Sequence, residues 1–314
     1  MLFARNLSLR ASPTAGPVAD NGAAPTVTER AAAAYLGFAI GDALGATVEF
    51  LTPTEIRHQH GVHRHITGGG WLRLKPGQVT DDTTMSLALG NAILQCGGRV
   101  EALAAAQAFD EWMRGKPVDI GNTVRRNLVR YRRTGEVEAE PSEHDAGNGA
   151  AMRVLPVALA TLGQDEDAVR AAVRRQAHVT HHNPLSDAGS EMLTLMTQDL
   201  LRGRPRGQVL FTRAMPLVQD FPLYAFRERR CDNPSGYVVD TVKAVLQAFF
   251  DTNSFEDCLI DVVNRGGDAD TTGAIAGMLA GAHYGLAAIP VRWRKALDAD
   301  VANRCLRQAE GLLP

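Results

Sequence analysis

The 314 residues carry no excess of basic charge: 33 Lys and Arg stand against 35 Asp and Glu, with a net charge of −2. That balance argues against a nucleic-acid partner or an electrostatic hold on a membrane surface. Cysteine is sparse. Cys96, Cys231, Cys258 and Cys305 are scattered and form no CxxC pair, which excludes a zinc knuckle and a redox dithiol and fits a reducing cytoplasm. The alanine-, proline-, serine- and glycine-rich N-terminus holds no apolar core of signal-peptide length. Residues 1–26 are therefore expected to be a disordered tail, and residues 27–314 a single domain. Period-two alternation is scarce and no internal repeat is evident. At most, residues 64 to 72 could hold a short extended piece.

What is present is helical periodicity. Thr26 and Glu29 have the spacing of a capping box, and Leu36, Ile40 and Leu44 follow at four-residue intervals. Further helical patterns run through 83–96, 101–114, 122–133, 149–161, 165–178, 185–202, 207–220, 236–251, 255–263 and 291–310, with irregular chain between them, including all of 51–82. The fold class expected is all-α. Residues 272–289 are apolar and contain GxxxG, but the run is barely long enough to span a bilayer and contains His283, so a buried helix is expected. Glycines recur every four residues at Gly37, Gly41 and Gly45, and again at Gly273, Gly277, Gly281 and Gly285. Each interior glycine costs roughly 0.5–1 kcal/mol relative to alanine. The two stripes therefore predict two helices whose backbones approach closely.

Two acidic clusters stand at predicted helix starts. Thr80-Asp81-Asp82-Thr83 precedes one apolar helix, and Gly266-Gly267-Asp268-Ala269-Asp270-Thr271-Thr272 opens the other glycine-striped one. A cap needs one such residue, so paired carboxylates exceed it. Their mutual repulsion would raise a pKa unless a cation intervenes. Four carboxylates with hydroxyls and no sulfur suit hard divalent cations, and convergence of the two helix starts would make a two-metal site natural. Asp42 and Glu49, seven residues apart, are read as sharing one face of the first helix, each with a core hydrogen-bonding role as the alternative. His58, His60, His63 and His65 fall in a polar loop and are not read as ligands.

Together these segments, with Gly41-Asp42-Ala43-Leu44-Gly45 and Glu49, resemble the ADP-ribosylglycohydrolases over nearly the whole chain after residue 28. Residues 67 to 78 (TGGGWLRLKPGQ), 117 to 123 (PVDIGNT), 145 to 153 (DAGNGAAMR) and 181 to 187 (HHNPLSD) narrow the likeness to members of nitrogen-fixing bacteria. The resemblance implies an all-α hydrolase with two divalent cations, Mn²⁺ before Mg²⁺. It would remove ADP-ribose from an arginine of a target protein, by resemblance dinitrogenase reductase. It implies Thr80, Asp81, Asp82, Asp268, Asp270 and Thr271 as metal ligands, and Glu49 and Asp119 as catalytic carboxylates. Asn122, Asn148, Gly149, Met152, His181 and Tyr237 would hold the ADP-ribose. It further suggests a cytoplasmic monomer with a PII-type signalling protein and an ammonium channel as partners, giving reversible membrane association.

On chemical grounds, glycine-rich turns at 68–70 and 147–149, with Arg153, are candidates for the diphosphate, and Trp71 for a contact on a mobile lid. The acidic clusters alone also permit a hydrolase of serine- or ester-linked ADP-ribose, or a non-catalytic ADP-ribose-binding module. The segments at 67–78 and 117–123 favour arginine. One departure stands out: where the family pattern has Thr-His-Asn-His-Pro, this chain reads Thr180-His181-His182-Asn183-Pro184, which keeps His181 in register and puts a role for the second histidine in doubt.

Overall fold

The computed structural model describes residues 24–314. The tail expected over 1–26 therefore lies almost wholly outside the described residues. In chain order the α-helices are α1 (Val27–Gly45), α2 (Pro53–His60), α3 (Asp81–Gln95), α4 (Ala102–Arg114), α5 (Asn122–Thr134), α6 (Leu155–Ala160), α7 (Glu166–Ala177), α8 (Pro184–Leu201), α9 (Arg206–Val209), α10 (Met215–Asp220), α11 (Val238–Asp251), α12 (Phe255–Val263), α13 (Ala269–Tyr284), α14 (Val291–Ala296) and α15 (Ala299–Gly311). Among the described residues there is no β-strand. The extended piece sought at 64–72 amounts to one isolated bridge, Gly69 to Leu74.

The glycine stripes explain the centre of the fold. Helices α1 and α13 run antiparallel with Gly37 against Gly277, Gly41 against Gly273, and Gly45 against Ala269. A β-carbon at Gly41 would lie 1.9 Å from the Gly273 carbonyl oxygen, and one at Gly277 would lie 2.0 Å from that of Gly37. Only hydrogen fits at these positions. The apolar run at 272–289 is thus a core helix, its residues buried from Ala269 to Ala282. Among the described residues no helix is long and apolar enough to cross a membrane.

Several boundaries differ from expectation. Glu49 is not on α1, which ends at Gly45 with Ala46 as C-cap; it lies in the turn beyond, so the shared helical face with Asp42 does not exist. Helix α2 occupies chain expected to be irregular, started by a capping box between Thr52 and Glu55 with Pro53 in the first turn. The run expected at 207–220 contains a π-helical turn, Leu210–Ala214, directly before Pro216, which lacks the N–H a regular helix would use. The run expected at 291–310 breaks at Leu297, where Asp298 Oδ1 accepts from Asp300 N and Val301 N at 2.9 and 3.1 Å and starts α15.

Candidate active site

Helices α3 and α13 bring their N-termini to one cleft, and each delivers its carboxylates there. Helix α3 needs no cap from Asp81 or Asp82, because Asp42 of α1 supplies it from across the core. Asp42 accepts from Thr80 N at 3.0 Å, from Thr83 N at 3.1 Å and from the Thr83 hydroxyl at 2.5 Å. Asp42 is fully buried, so this hydrogen-bonding role is structural. The start of α13 is set by Gly266 and Gly267, both with positive φ. Their segment is stitched to two neighbours: Gly267 N donates to Leu51 O at 2.9 Å, Phe50 N to Gly267 O at 2.7 Å, and Asp268 N to Pro234 O at 2.8 Å. These bonds fix Glu49 beside Asp268 although the chain separates them widely.

The cleft, about 320 Å³, is lined by Glu49, Asp81, Asp82, Asp119, Asp268, Asp270 and Thr271, together with Asn122, Asn148, Gly149, Met152 and His181. No lysine or arginine is among its lining residues. Two residues from the expected set do not line it. Thr80 is buried behind Asp82, its hydroxyl donating to Asp82 Oδ2 at 3.3 Å. Tyr237 is half-exposed next to the lining residue Gly236 and pairs through its backbone with Gly147. The glycine turn at 68–70 and Arg153 are also absent from the lining. A β-carbon at Gly70 would meet Ala46 O at 2.4 Å, so that turn is a packing feature. Arg153 is fully buried, donating to Gln176 Oε1 and O at 2.6 and 2.9 Å and to the Thr180 hydroxyl at 2.7 Å.

The carboxylates crowd one another. One ligand atom from each of Glu49, Asp268 and Asp270 lies within 4.8 Å of the other two. Asp82 Oδ2 gathers the hydroxyls of Thr80 and Thr271, while Asp82 Oδ1 and Asp270 Oδ1 are buried without any partner. A buried unpaired carboxylate oxygen is costly. Burial first, and the neighbouring acids second, push Asp82 and Asp270 well above the ordinary carboxylate range. Burial, then repulsion by Asp119 and Asp42, raises Asp81 to about 7. Burial raises Glu49 to about 8, opposed by the Trp71 indole N–H, which donates to Glu49 Oε2 at 2.6 Å. Two orphaned oxygens in an all-oxygen, all-acidic set form the donor chemistry of hard divalent cations, and the residues present fit such ions.

The rest of the lining adds one further carboxylate together with amide and imidazole groups. Asp119 Oδ1 accepts from Ile120 N at 2.8 Å, and Gly121 N reaches Asp81 Oδ2 at 3.3 Å, which anchors the Asp119 turn on α3. Burial raises the Asp119 pKa. Asn148 Nδ2 donates to Asp268 Oδ2 at 2.5 Å, so Asn148 also steers a carboxylate. His181 covers Gly147 and Gly149; a β-carbon at Gly149 would lie 2.7 Å from its ring. Because Arg153 donates to the Thr180 hydroxyl, that hydroxyl gives its own proton to His181 Nδ1 at 2.8 Å, and Nε2–H is left as a donor. Burial, then the Arg153 charge, pushes His181 down to about 3 and keeps the ring neutral. Gly147, in the turn expected at 147–149, does line the cleft, whereas sequence reasoning missed Phe50, Val124 and Gly236. Phe50, at φ 63° and 62% exposed, stacks obliquely on Trp71 with centroids 5.3 Å apart.

Comparison with known proteins agrees with this geometry. The family model for ADP-ribosylglycohydrolase matches residues 23–313. The chain is 50% identical over 289 residues to the ADP-ribosyl-[dinitrogen reductase] glycohydrolase of Rhodospirillum rubrum, covering 92% of this chain and 97% of that protein. It is 34% identical to the ADP-ribosylarginine hydrolase Tri1 of Serratia proteamaculans, over 84% of this chain and 74% of that one. A solved structure described as an ADP-ribosylglycohydrolase-related protein complex superposes with a TM-score of 0.80 at 35% identity, covering 91% of this chain and 99% of that one. A family match over this span, on a helical scaffold that converges two acidic helix starts, places the chain in the ADP-ribosylglycohydrolases.

Proposed function

We propose that this protein hydrolyses the N-glycosidic bond between ADP-ribose and a protein arginine, with dinitrogenase reductase as the target. The observation that carries the reading is the cleft on which α3 and α13 converge, with its buried, unpaired Asp82 and Asp270 oxygens. The relatives' activities supply the substrate class. Residues 27–314 act as one domain.

Asp81, Asp82, Asp268, Asp270 and Thr271 would hold two divalent cations, Mn²⁺ before Mg²⁺, with Thr80 orienting Asp82. When bound, such ions orient the ribose diol and acidify a water molecule. The chain's own groups do the rest. Bond cleavage passes through an oxocarbenium-like state that needs a proton delivered to or taken from the reacting atoms. Asp119, at the cleft wall, is the carboxylate placed to exchange that proton, and burial raises its pKa. Glu49, held by Trp71, is the second carboxylate able to exchange one. The His181 Nε2–H and the start of α5 at Asn122, which has no side-chain cap, donate to the diphosphate and sugar oxygens. Gly149 and Met152 shape the pocket, with Tyr237 flanking it. We further propose a cytoplasmic monomer recruited reversibly to the membrane through a PII-type protein and an ammonium channel, which rests on the family resemblance of the sequence alone.

The test is product release from arginine-, serine- and ester-linked ADP-ribosyl substrates, with Mn²⁺ and after chelation. Release from the arginine conjugate alone, abolished by chelation, is expected. Turnover of the serine or ester conjugate in preference, or full activity of metal-free protein, would overturn the reading.

A further inference from the structure

A second set of side chains able to ligate a metal lies outside the cleft. His178 follows α7, His182 lies between α7 and α8, and Glu138 lies in the loop after α5. One ligand atom from each lies within 4.8 Å of the other two. The backbone holds these segments together. Ala139 N donates to His178 O at 2.7 Å, Ser142 N to His182 O at 3.0 Å, and Asn183 Nδ2 to Ser142 O at 2.8 Å.

The hydrogen bonds also fix which ring nitrogens are free. His182 Nδ1 lies 2.9 Å from Ala139 O; a carbonyl only accepts, so Nδ1 carries the proton and Nε2 keeps its lone pair. His178 Nε2 lies 2.9 and 3.0 Å from the two carboxylate oxygens of Asp187, so it is the donor and Nδ1 is free in the neutral ring. A histidine whose second nitrogen donates to a carboxylate or a carbonyl is the usual form of a metal ligand. We propose that His178, His182 and Glu138 form a zinc site, two imidazoles and one carboxylate with a fourth position open to water.

The donor set is softer than that of the cleft and suits Zn²⁺ rather than Mn²⁺ or Mg²⁺. The two rings stack with centroids 3.8 Å apart and an 18° interplanar angle. Donors at roughly 2.0–2.2 Å from a tetrahedral ion point toward it from different directions. Binding would therefore require the two rings to tilt out of their stack while keeping the bonds to Ala139 O and Asp187, with the exposed Glu138 completing the set.

His182 directly precedes Asn183, the N-cap of α8, which accepts from Leu185 N at 2.9 Å and so fixes the backbone that carries the ligand. The ion would clamp the loop that leads into Asn148 and Gly149 to the segment that carries His181. Both are walls of the cleft.

The test titrates ZnCl₂ into metal-stripped full-length protein in excess Mg²⁺, with calorimetry and elemental analysis, on wild type and on Glu138→Gln, His182→Ala and Asp187→Asn. Wild type should bind one zinc that is absent from the first two variants, and its thermal midpoint should rise with zinc. Asp187→Asn should weaken that zinc about 10- to 100-fold, and loss of a direct ligand should cost at least as much. Glu138 is exposed and accepts from Arg130 only through its backbone carbonyl, which Glu138→Gln leaves in place, so this variant keeps the fold and serves as its own control. Equal zinc affinity and stoichiometry in wild type and Glu138→Gln, or no zinc-dependent midpoint shift in wild type, would overturn the proposal.

Discussion

At the scale of single residues, the separation of capping from chemistry is what makes the cleft. A pair of aspartates at a helix start has an ordinary use as a cap, and in α3 that use is taken by Asp42, 38 residues away in sequence from the first N–H it satisfies. Asp42→Ala should therefore lower stability by about 1–3 kcal/mol, the cost of leaving buried donors unpaired, measured by chemical denaturation. An unchanged unfolding free energy would mean that water replaces the carboxylate. Asp119 can be argued the same way. It does not cap α5, whose N-cap is Gly121 without a side-chain bond. Asparagine keeps the acceptor for Ile120 N but cannot exchange a proton. Asp119→Asn should reduce kcat by about 100- to 10,000-fold, with the thermal midpoint and ADP-ribose affinity close to wild type. Near-normal kcat would remove Asp119 from the chemistry. The acidic residues themselves were legible because paired carboxylates at helix starts exceed what caps need. The role of Asp42 was not, since a cap supplied from another helix leaves no local pattern.

At the scale of elements, the sequence exposed the long periodic helices and concealed the breaks. Four-residue glycine spacing on two segments was enough to pair α1 with α13, because interior glycine is unfavourable unless a neighbouring backbone requires it. The breaks at Leu297 and before Pro216, and the short α2, are decided by single caps or a missing N–H that hydrophobic periodicity averages over. The same averaging hid the end of α1 and so misplaced Glu49 on its face; the turn after Ala46 is held by bonds from Phe50 N to Gly267 O and from Gly267 N to Leu51 O. The α1–α13 contact gives a prediction in which sign alone decides. On propensity, Gly277→Ala would stabilise a helix by roughly 0.5–1 kcal/mol. With a β-carbon 2.0 Å from Gly37 O, it must instead push the helices apart, at a cost of about 1–3 kcal/mol or more. A lowered midpoint in differential scanning calorimetry is expected, and a raised one would show that the backbones are not in contact. Because α13 begins at the cleft, the variant should also weaken metal affinity.

At the scale of the whole molecule, a near-neutral chain concentrates negative charge in one place, and this ties its stability to pH and metal. In the metal-free fold Asp81 is raised to about 7, Glu49 to about 8, and Asp82 and Asp270 well above the ordinary range, burial being the first cause in each. Unfolded carboxylates titrate near pH 4. Between the two values the folded state binds more protons than the unfolded state, so stability falls as pH rises through the window. Three histidines work in the opposite direction. Burial lowers His181 to about 3 and His63 and His283 to about 4, from an ordinary value of 6.5, so folding becomes more favourable as pH rises toward 6.5 and then stops changing. Above about pH 6.5 the carboxylates act alone among these groups. The thermal midpoint of chelated protein should therefore decline from pH 6.5 to pH 8. Metal binding requires ionised carboxylates and releases their protons, so the midpoint gain on adding Mn²⁺ should grow over the same interval. Asp82→Asn removes one of the buried acids and should flatten the decline in the chelated protein while reducing the Mn²⁺ gain. A chelated wild-type midpoint that stays level or rises between pH 6.5 and 8 would mean that the four acids ionise without penalty, and that the cleft needs no cation to hold them together.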